Sequence, residues 1–360
     1  MSRPFAEHGF SLIESLVALL LLLVVMSAVF AIVNPSSIAA QAQPEVMDVQ
    51  QRARVAIDAI ERDLLNAGAG MTSGSAAGSI AQYFAAIVPR RMGLQGADRY
   101  DVARADAITM SRLAGGYVQT TLGGPLASGA PALIVDEPAN CPVRNGVCGL
   151  AQDMRAVVFE PGGSFDWFTI GPLQFPAAAI ISNQPGPFSS YPAGSFVAQG
   201  QRDVYWHDPS TRQLRHYDGY LTDVPVVDNV VSLSLEYFGD PQPPARPKPP
   251  AGVANCLYDS AGNLLPGLVM LTAQGGSLAP LPLSMLADGP WCGAGDNRFD
   301  ADLLRVRAVS ISVRVQASQA VYRGTGTDFA NAGSNRIASR AVADYVATVA
   351  ITPRNLSRPR

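Results

Sequence analysis

The strongest constraint on the fold is an uninterrupted apolar run near the start of the chain. From Leu16 to Val33 the sequence reads LVALLLLLVVMSAVFAIV, eighteen residues with no charge and one hydroxyl. As a helix, this run is long enough to cross the hydrocarbon core of a bilayer. No lysine or arginine occurs between Arg3 and Arg52, so charge asymmetry weakly favours a cytoplasmic amino end. The sequence therefore predicts one membrane-spanning helix, with the rest of the chain outside the cytoplasm.

The remainder has the composition of a folded, sheet-rich protein. Of the 360 residues of the whole chain, 48% are hydrophobic and 15% are charged, which excludes a disordered chain. The 33 glycines and 28 prolines indicate many turns and favour sheet and loops over a helical bundle. With 26 basic and 29 acidic side chains and a net charge of -3, the chain has no nucleic-acid-binding signature.

A glutamate stands at the beginning of the apolar run. Residues 9–22 read GFSLIESLVALLLL, with Glu14 already inside the hydrophobic segment. A carboxylate within a spanning helix costs about 2–3 kcal/mol on insertion scales, so it is expected to have a partner. This segment resembles the class III signal of type IV prepilins. The resemblance implies that a prepilin peptidase cuts between Gly9 and Phe10 and that Phe10 is then N-methylated. It also implies that Glu14 neutralises the amino terminus of an adjacent subunit during assembly.

An ordinary secretory signal is the competing interpretation. Ala40-Gln41-Ala42 fits a small-x-small cleavage site downstream of the apolar run. The hydrophobic region of a secretory signal has roughly 7–15 residues, fewer than this run, and a discarded signal has no use for Glu14. The combined G-F-S-L-I-E pattern favours the prepilin interpretation.

A second, amphipathic helix is predicted after the membrane span. Pro44 suits its first turn, Gly68 suits its carboxyl end, and Asn34-Pro35 is expected to kink or interrupt the path from the span. Apolar residues recur at three- and four-residue steps and form one stripe that must pack on something: Val49, Ala53, Ala56, Ile57, Ile60 and Leu64.

Beyond residue 68, short β-rich runs alternate with Gly, Pro, Asn and Asp. The predicted strands are Ala107–Arg112, Ala132–Asp136, Ala156–Phe159, Trp167–Ile170, Ser195–Ala198, Asp203–His207, Gln213–Tyr217, Val230–Phe238, Val306–Gln316 and Tyr345–Thr352. Asp203–His207 and Gln213–Tyr217 form a hairpin around a D-P-S-T turn. Six prolines between Pro241 and Pro250 fit no strand and predict a stiff, extended insertion within residues 238–255.

Four cysteines are expected to form disulfides because the domain is predicted to lie in an oxidising compartment. Four cysteines allow three pairings. The Asn-Gly turn between Cys141 and Cys148 favours pairing these two, which leaves Cys256 to pair with Cys292. A zinc site is disfavoured because no C-x-x-C pair and no nearby histidine occurs. No metal and no cofactor are predicted.

Two further groups of polar side chains resemble functional sites. His207 and His216, with Asp208, suggest a metal pair or an acid-base dyad, but polar positions beside a surface turn and the lack of a nucleophile motif argue against catalysis. Asp296, Asn297, Asp300 and Asp302 offer calcium-type oxygen ligands, but their spacing is not that of a calcium loop. A solvated start of a strand is the favoured interpretation there.

Later segments resemble the PilW-type minor pilins and the related GspJ-type pseudopilins. These are DVQQRARVAIDAIERDLLNAG, the VYW…QLRHYDG hairpin, VVDNVVSLSLEYF, RVRAVSISVRV and YVATVAITPRN. The implied fold is α+β and type IV pilin-like, with a long N-terminal helix packed on an enlarged antiparallel sheet domain with insertions. The implied segments are a leader (1–9), a transmembrane helix (10–34), an amphipathic helix (35–68) and a periplasmic β-rich domain (69–360).

The function implied by this resemblance is structural rather than enzymatic. The chain would be a minor pilin that helps initiate type IV pilus assembly, since 351 residues after cleavage are hard to repeat down a filament shaft. Its partners would be prepilin peptidase, other minor pilins, the major pilin, an inner-membrane assembly platform and a tip adhesin. Its location would be the bacterial inner membrane, as a single-pass protein, and the pilus tip. The alternatives are a type II secretion pseudopilin and, from another class, a membrane-anchored periplasmic binding protein or hydrolase.

Overall fold

The structure is a computed structural model that describes residues 11–70, 79–113, 119–139, 141, 143–174, 179–182, 189–273 and 277–356. Within these residues, one long helix is followed by sixteen strands and six short 3₁₀ helices in an α+β arrangement. The long helix and the strands are α1 (Leu12–Leu65), β1 (Ile87–Val88), β2 (Ala107–Leu113), β3 (Gln119–Thr121), β4 (Ala132–Ile134), β5 (Arg155–Phe159), β6 (Phe165–Gln174), β7 (Ala179–Ser182), β8 (Phe196–Asp208), β9 (Gln213–Tyr217), β10 (Asp223–Asp228), β11 (Val230–Gly239), β12 (Ala279–Leu281), β13 (Trp291–Cys292), β14 (Phe299–Asp300), β15 (Val306–Val315) and β16 (Tyr345–Ile351).

The chain divides into two compact units, each described by itself. The first comprises Met1–Gln51 and Gln316–Tyr345, and the second comprises Arg52–Val315 and Val346–Arg360. In the first unit, Glu45 of α1 accepts hydrogen bonds from the backbone nitrogen of Ser318 at 2.5 Å and from its hydroxyl at 2.8 Å. The same unit is held by a bond from the Val342 nitrogen to the Tyr322 carbonyl at 2.8 Å.

Helix α1 is continuous, which corrects two predictions made from its prolines. The backbone is helical from Leu12 through Pro35 and Pro44 to Leu65, so Pro35 does not interrupt the helix and Pro44 does not start a second one. An internal proline removes one hydrogen bond and crowds the preceding turn, at a cost of about 3 kcal/mol. Long runs of good helix formers on both sides extend the helix past each proline.

The predicted apolar stripe of the helix is confirmed as a buried face. Its six members, Val49 through Leu64, are all buried, and Ala53, Ala56, Ile60 and Leu64 have no exposed surface. The helix ends where predicted: Gly68 follows Leu65 closely and adopts a φ of +70°. Its nitrogen donates to the Ser111 carbonyl on β2 at 2.9 Å.

The second unit contains a ten-stranded sheet and a four-stranded sheet. In the larger sheet the order is β1-β2-β8-β5-β6-β7-β4, with β3 and β9 also paired to β8, and β10 paired to β9. In the smaller sheet the order is β12-β11-β15-β16, and β13 and β14 form a separate ribbon. The hairpin of β8 and β9 is confirmed, with Asp208 opposite Gln213 across the turn.

Strand β8 is the central element of the larger sheet. It joins two predicted strands into one of thirteen residues. Its first half pairs with β3 and β5, and its second half pairs with β2 and β9. The core beside it contains aromatic rings such as Phe84 and Phe165, which stack with centroids 4.4 Å apart.

The proline-rich insertion forms no strand, as predicted, but it packs on the protein instead of extending away from it. Pro244 and Pro247 are buried. The Tyr258 hydroxyl donates to the Ala245 carbonyl at 3.0 Å, and the Asn255 amide donates to the Pro247 carbonyl at 2.8 Å. Backbone carbonyls that cannot join a sheet are thus satisfied by neighbouring side chains.

Candidate functional site: the N-terminal helix and its anchorage

The amino-terminal part of α1 is apolar and uncovered. Leu12–Ala31 has a mean hydropathy of 2.7, and none of it is buried within the protein. Leu12 and Leu23 expose 81% and 69% of their surface. At about 1.5 Å per residue this segment measures about 30 Å, the thickness of a bilayer's hydrocarbon core. A buried core helix is thereby excluded, and the segment fits membrane anchoring.

Glu14 lies in the first turn of α1, where it completes a capping box. Its carboxylate accepts a hydrogen bond from the Ser11 nitrogen at 3.0 Å, and the Ser11 hydroxyl accepts one from the Ile13 nitrogen at 3.2 Å. Helix amino ends leave several backbone donors without partners, and this reciprocal arrangement satisfies two of them. The S-x-x-E signal is visible in the sequence, yet this local role of Glu14 was not part of the prediction. Gly9 and Phe10 lie outside the described residues.

Glu14 is exposed on a stripe that is otherwise apolar. Ile13, Val17, Ala18 and Leu21 line a shallow surface groove of about 290 Å³ together with Glu14. Only one of its two carboxylate oxygens is used by Ser11. The arrangement therefore offers a hydrogen-bond acceptor and a negative charge at the start of a hydrophobic surface.

The carboxyl-terminal end of α1 is fixed to the larger sheet through Asp63. Its carboxylate accepts a hydrogen bond from the Tyr205 hydroxyl at 2.7 Å and forms an ion pair with Arg112 at 3.3 Å. Arg112 also forms an ion pair with Asp203 at 3.4 Å. The other carboxylate oxygen of Asp203, Oδ1, lies 3.0 Å from His216 Nε2. The hydrogen bond to Asp203 raises the pKa of His216, against the opposing effect of burial.

This network corrects the surface interpretation of the two histidines. His207 is buried, and its Nε2 contacts the Val230 carbonyl at 2.9 Å. His216 belongs to a cluster with Asp63 and Asp203 whose ligand atoms lie within 4.8 Å of one another, a spacing that suits a metal ion. The guanidinium of Arg112 already bridges the two carboxylates, so the cluster's charge is balanced by the protein.

Asp208 has a structural role in the hairpin turn. It accepts hydrogen bonds from the Ser210 nitrogen and hydroxyl and from the Thr211 hydroxyl. The bonds from the Ser210 and Thr211 side chains lower the pKa of Asp208 to about 2.

The predicted solvated start of a strand at Asp300 and Asp302 is wrong, because both side chains are buried. Asp300 accepts bonds from the nitrogens of Gly289 at 2.5 Å and Asp302 at 2.8 Å. Asp302 Oδ1 lies 2.8 Å from Arg305 Nε in a buried ion pair. Burial raises the pKa of Asp300 to about 6 and that of Asp302 to about 7. Asp296 is exposed, so the four residues do not converge as one ligand set.

The cysteines form two disulfides with the pairing that the sequence favours. The Cα atoms are 5.0 Å apart in Cys141–Cys148 and 4.9 Å apart in Cys256–Cys292. Asn145 Oδ1 accepts bonds from the nitrogens of Val147 and Gly149, which tightens the short loop that the first disulfide closes. The second disulfide closes a loop across 36 positions and ends on β13.

Comparison with known proteins bears on the amino-terminal segment. No curated protein and no solved structure matches the chain. Residues 5–30 match the family described as the prokaryotic N-terminal methylation motif. This match includes Gly9, Phe10 and Glu14 and most of the exposed apolar helix. Together with the apolar helix and the antiparallel sheet domain that follows it, the match supports a type IV pilin-family protein, pilin-like or pseudopilin.

Proposed function

We propose that this chain is a minor pilin of the PilW type that helps initiate type IV pilus assembly. The observation that carries the proposal is the methylation motif on an uncovered apolar helix, with Glu14 as the acidic side chain of its first turn. A surface of this kind is unfavourable in water and is stable in a bilayer or against other apolar helices. Assembly with other pilins covers it.

Processing supplies the partner for Glu14. Cleavage between Gly9 and Phe10 by prepilin peptidase creates a charged amino group, which N-methylation preserves near neutral pH. Glu14 pairs with this amino group of a neighbouring subunit. The pair lies in a medium of low dielectric constant, where the attraction between opposite charges is strong. Burial of apolar helices provides the association energy, and the charge pair sets the register between subunits.

The same helix supports the location that we propose. The chain resides in the inner membrane as a single-pass protein with its β-rich domain in the periplasm, and it is delivered to the pilus tip. There it associates with other minor pilins, the major pilin, the inner-membrane assembly platform and a tip adhesin. Its role is structural, and the proposal assigns it no reaction.

The capping box allows the charge of Glu14 to be separated from its local role. Glu14→Gln keeps an oxygen that can accept from the Ser11 nitrogen but removes the charge. Ser11→Ala removes the capping hydroxyl, at a cost of about 1 kcal/mol to the helix, but keeps the charge. We expect Glu14→Gln to abolish co-purification with partner pilins from detergent-solubilised membranes, and Ser11→Ala to retain most of it. The reverse order would show that Glu14 acts as a helix cap and would overturn the proposed pairing.

Processing is tested on the mature chain by mass and amino-terminal sequencing. The expected terminus is N-methylated Phe10, and Gly9→Val is expected to keep the nine-residue leader. A mature chain that begins at Gln43 would mean that the helix is discarded as a secretory signal. Deletion of the gene is expected to reduce surface filaments. Loss of secreted proteins with intact filaments would instead indicate the type II secretion pseudopilin role.

A further inference from the structure

A large cavity in the second unit is not used by the assembly role. It has a volume of about 870 Å³, within the range of about 300–1,000 Å³ typical of small-molecule sites. Its lining includes Arg155 on β5, Asp166 and Trp167 on β6, and Arg202 on β8. Adjacent strands of one sheet thus place two arginines in the wall of a single cavity.

Arg202 is the side chain that most needs a ligand. Only 4% of its surface is exposed, and among the described residues no carboxylate lies within ion-pair distance of its guanidinium. Its Cζ lies 4.8 Å from the centre of the Trp167 ring, and its Nη2 lies 3.5 Å from Asn297 Oδ1, at the limit of a hydrogen bond. Its Nε is buried without a partner. A buried cation with no carboxylate at ion-pair distance is costly, so Arg202 favours an anion bound directly at its guanidinium.

The backbone is shaped to hold Arg202 in place. Gly219 approaches its side chain so closely that a Cβ there would lie 2.9 Å from Arg202 Cδ. Gly219 also has a φ of +73°, which side chains of L-residues rarely adopt. A residue with a side chain at position 219 would therefore displace Arg202 from the cavity wall.

Arg155 adds a second positive charge that also lacks a carboxylate partner within ion-pair distance among the described residues. Its Nη1 donates to the Asp218 carbonyl at 3.0 Å, and its Cζ lies 5.1 Å from the centre of the Tyr220 ring. Burial lowers the pKa of Arg202 to about 9, and the charge of Arg155 acts in the same direction. Arginine side chains stay protonated in proteins, and an anion that contacts both would relieve their repulsion.

The other residues that line the cavity favour some anions over others. Asp166 is held by the Ser189 nitrogen, the Tyr191 hydroxyl and the Asn297 amide, at 2.6, 2.9 and 2.8 Å. Asp98 and Asp296 face the same cavity. Asp98 is already paired with Arg104 at 3.3 Å. The remaining carboxylates disfavour a dianion such as phosphate, whereas carboxylate oxygens can accept hydrogen bonds from hydroxyl groups. The best match is a ligand with one negative charge and several hydroxyls.

We propose that this cavity binds an acidic sugar, a monosaccharide unit that carries a carboxylate. Its carboxylate lies against the guanidinium groups of Arg155 and Arg202, where planar forks suit bidentate contacts. Its hydroxyls face the carboxylates and the hydroxyls of Ser128 and Ser190 at the rim. This binding activity is independent of the helix that directs assembly, so either proposal can fail without the other.

The test measures sugar binding to the full chain in detergent micelles by saturation-transfer NMR and titration calorimetry. The probes are galacturonic acid and N-acetylneuraminic acid, which distinguish uronic from nine-carbon acidic sugars, with galactose as the neutral counterpart. We expect at least one acid to bind about tenfold or more tightly than galactose, the change that loss of a charged hydrogen bond produces. Galactose binding as tightly as both acids would overturn the proposal, as would no binding of either acid up to about 20 mM, a range that covers a millimolar Kd.

Variants assign the binding to the cavity. Arg155→Gln is expected to weaken binding about tenfold or more. Ser128→Trp, at an exposed rim position, is expected to block binding without disturbing the core. Arg99→Gln removes an exposed arginine outside the cavity and is the matched control. Thermal unfolding verifies that each variant is folded. Unchanged binding in both cavity variants, or full displacement of the sugar by inorganic phosphate or alanine, would refute recognition of an acidic sugar here.

Discussion

The anchorage of α1 to the sheet by the Tyr205 hydroxyl gives a sharp prediction about stability. This hydroxyl donates to the charged Asp63 at 2.7 Å, while Tyr205 is 4% exposed and the Asp63 side chain is 16% exposed. Hydrogen bonds to charged groups contribute about 1.5–3 kcal/mol. In the variant, Asp63 retains its ion pair with Arg112 and some contact with solvent, so the lower end of this energy range is expected. Tyr205→Phe is expected to reduce the free energy of unfolding by about 1.5–2 kcal/mol.

The assay is urea unfolding of the full chain in micelles, followed by tryptophan fluorescence. All three tryptophans, Trp167, Trp206 and Trp291, lie in the unit that contains this contact. Tyr345→Phe removes a hydroxyl from an exposed tyrosine and should change stability by less than about 0.5 kcal/mol. In a double-mutant cycle with Asp63→Asn, the coupling energy should be about 1 kcal/mol or more. A Tyr205→Phe effect equal to that of the control, or a coupling near zero, would refute this account of the anchorage.

Two further predictions concern pH and the disulfides. Because the pKa of His216 is raised in the folded protein, its stabilising contribution is complete below the ordinary histidine pKa and is lost as pH rises through the folded value. The free energy of unfolding should therefore fall as pH rises above about 6.5, and this slope should be smaller in His216→Gln. Two variants each replace one disulfide by a pair of serines. Removal of Cys256–Cys292 should destabilise the protein by about 1 kcal/mol more than removal of Cys141–Cys148, because the loop that it closes is longer. Equal melting temperatures for the two serine variants would contradict this ranking.

The strands were predictable where side-chain alternation was regular. In β15, Val309, Ile311, Val313 and Val315 are buried and alternate with partly exposed residues, as the sequence indicates. Strand β8 was predicted as two pieces, Ser195–Ala198 and Asp203–His207, and Gly200 lies between them. The structure shows why glycine is there: a Cβ at Gly200 would lie 2.8 Å from the Trp167 ring. Glycine here permits close packing, a reason that only the tertiary structure reveals.

In the candidate site, the features made by neighbouring residues were predictable from the sequence, whereas the contacts between residues far apart in the chain were not. The apolar span and Glu14 are contiguous in the sequence, so their pattern could be recognised directly. The bridge that Arg112 makes between Asp63 and Asp203 joins residues far apart in the chain, and no spacing rule indicates it. Asp302 was misread for a similar reason, since Arg305 balances its charge only after both side chains leave the solvent.

If the β-rich domain lies in the periplasm, as proposed above, the two disulfides distinguish exported from unexported molecules. Thiols stay reduced in the cytosol and become oxidised beyond the inner membrane, so a molecule still awaiting export lacks both covalent links. Its gel mobility without reductant would differ from that of an exported molecule of the same length. The fraction of cross-linked chain thus reports how many molecules have completed translocation, whether or not any has yet joined a filament.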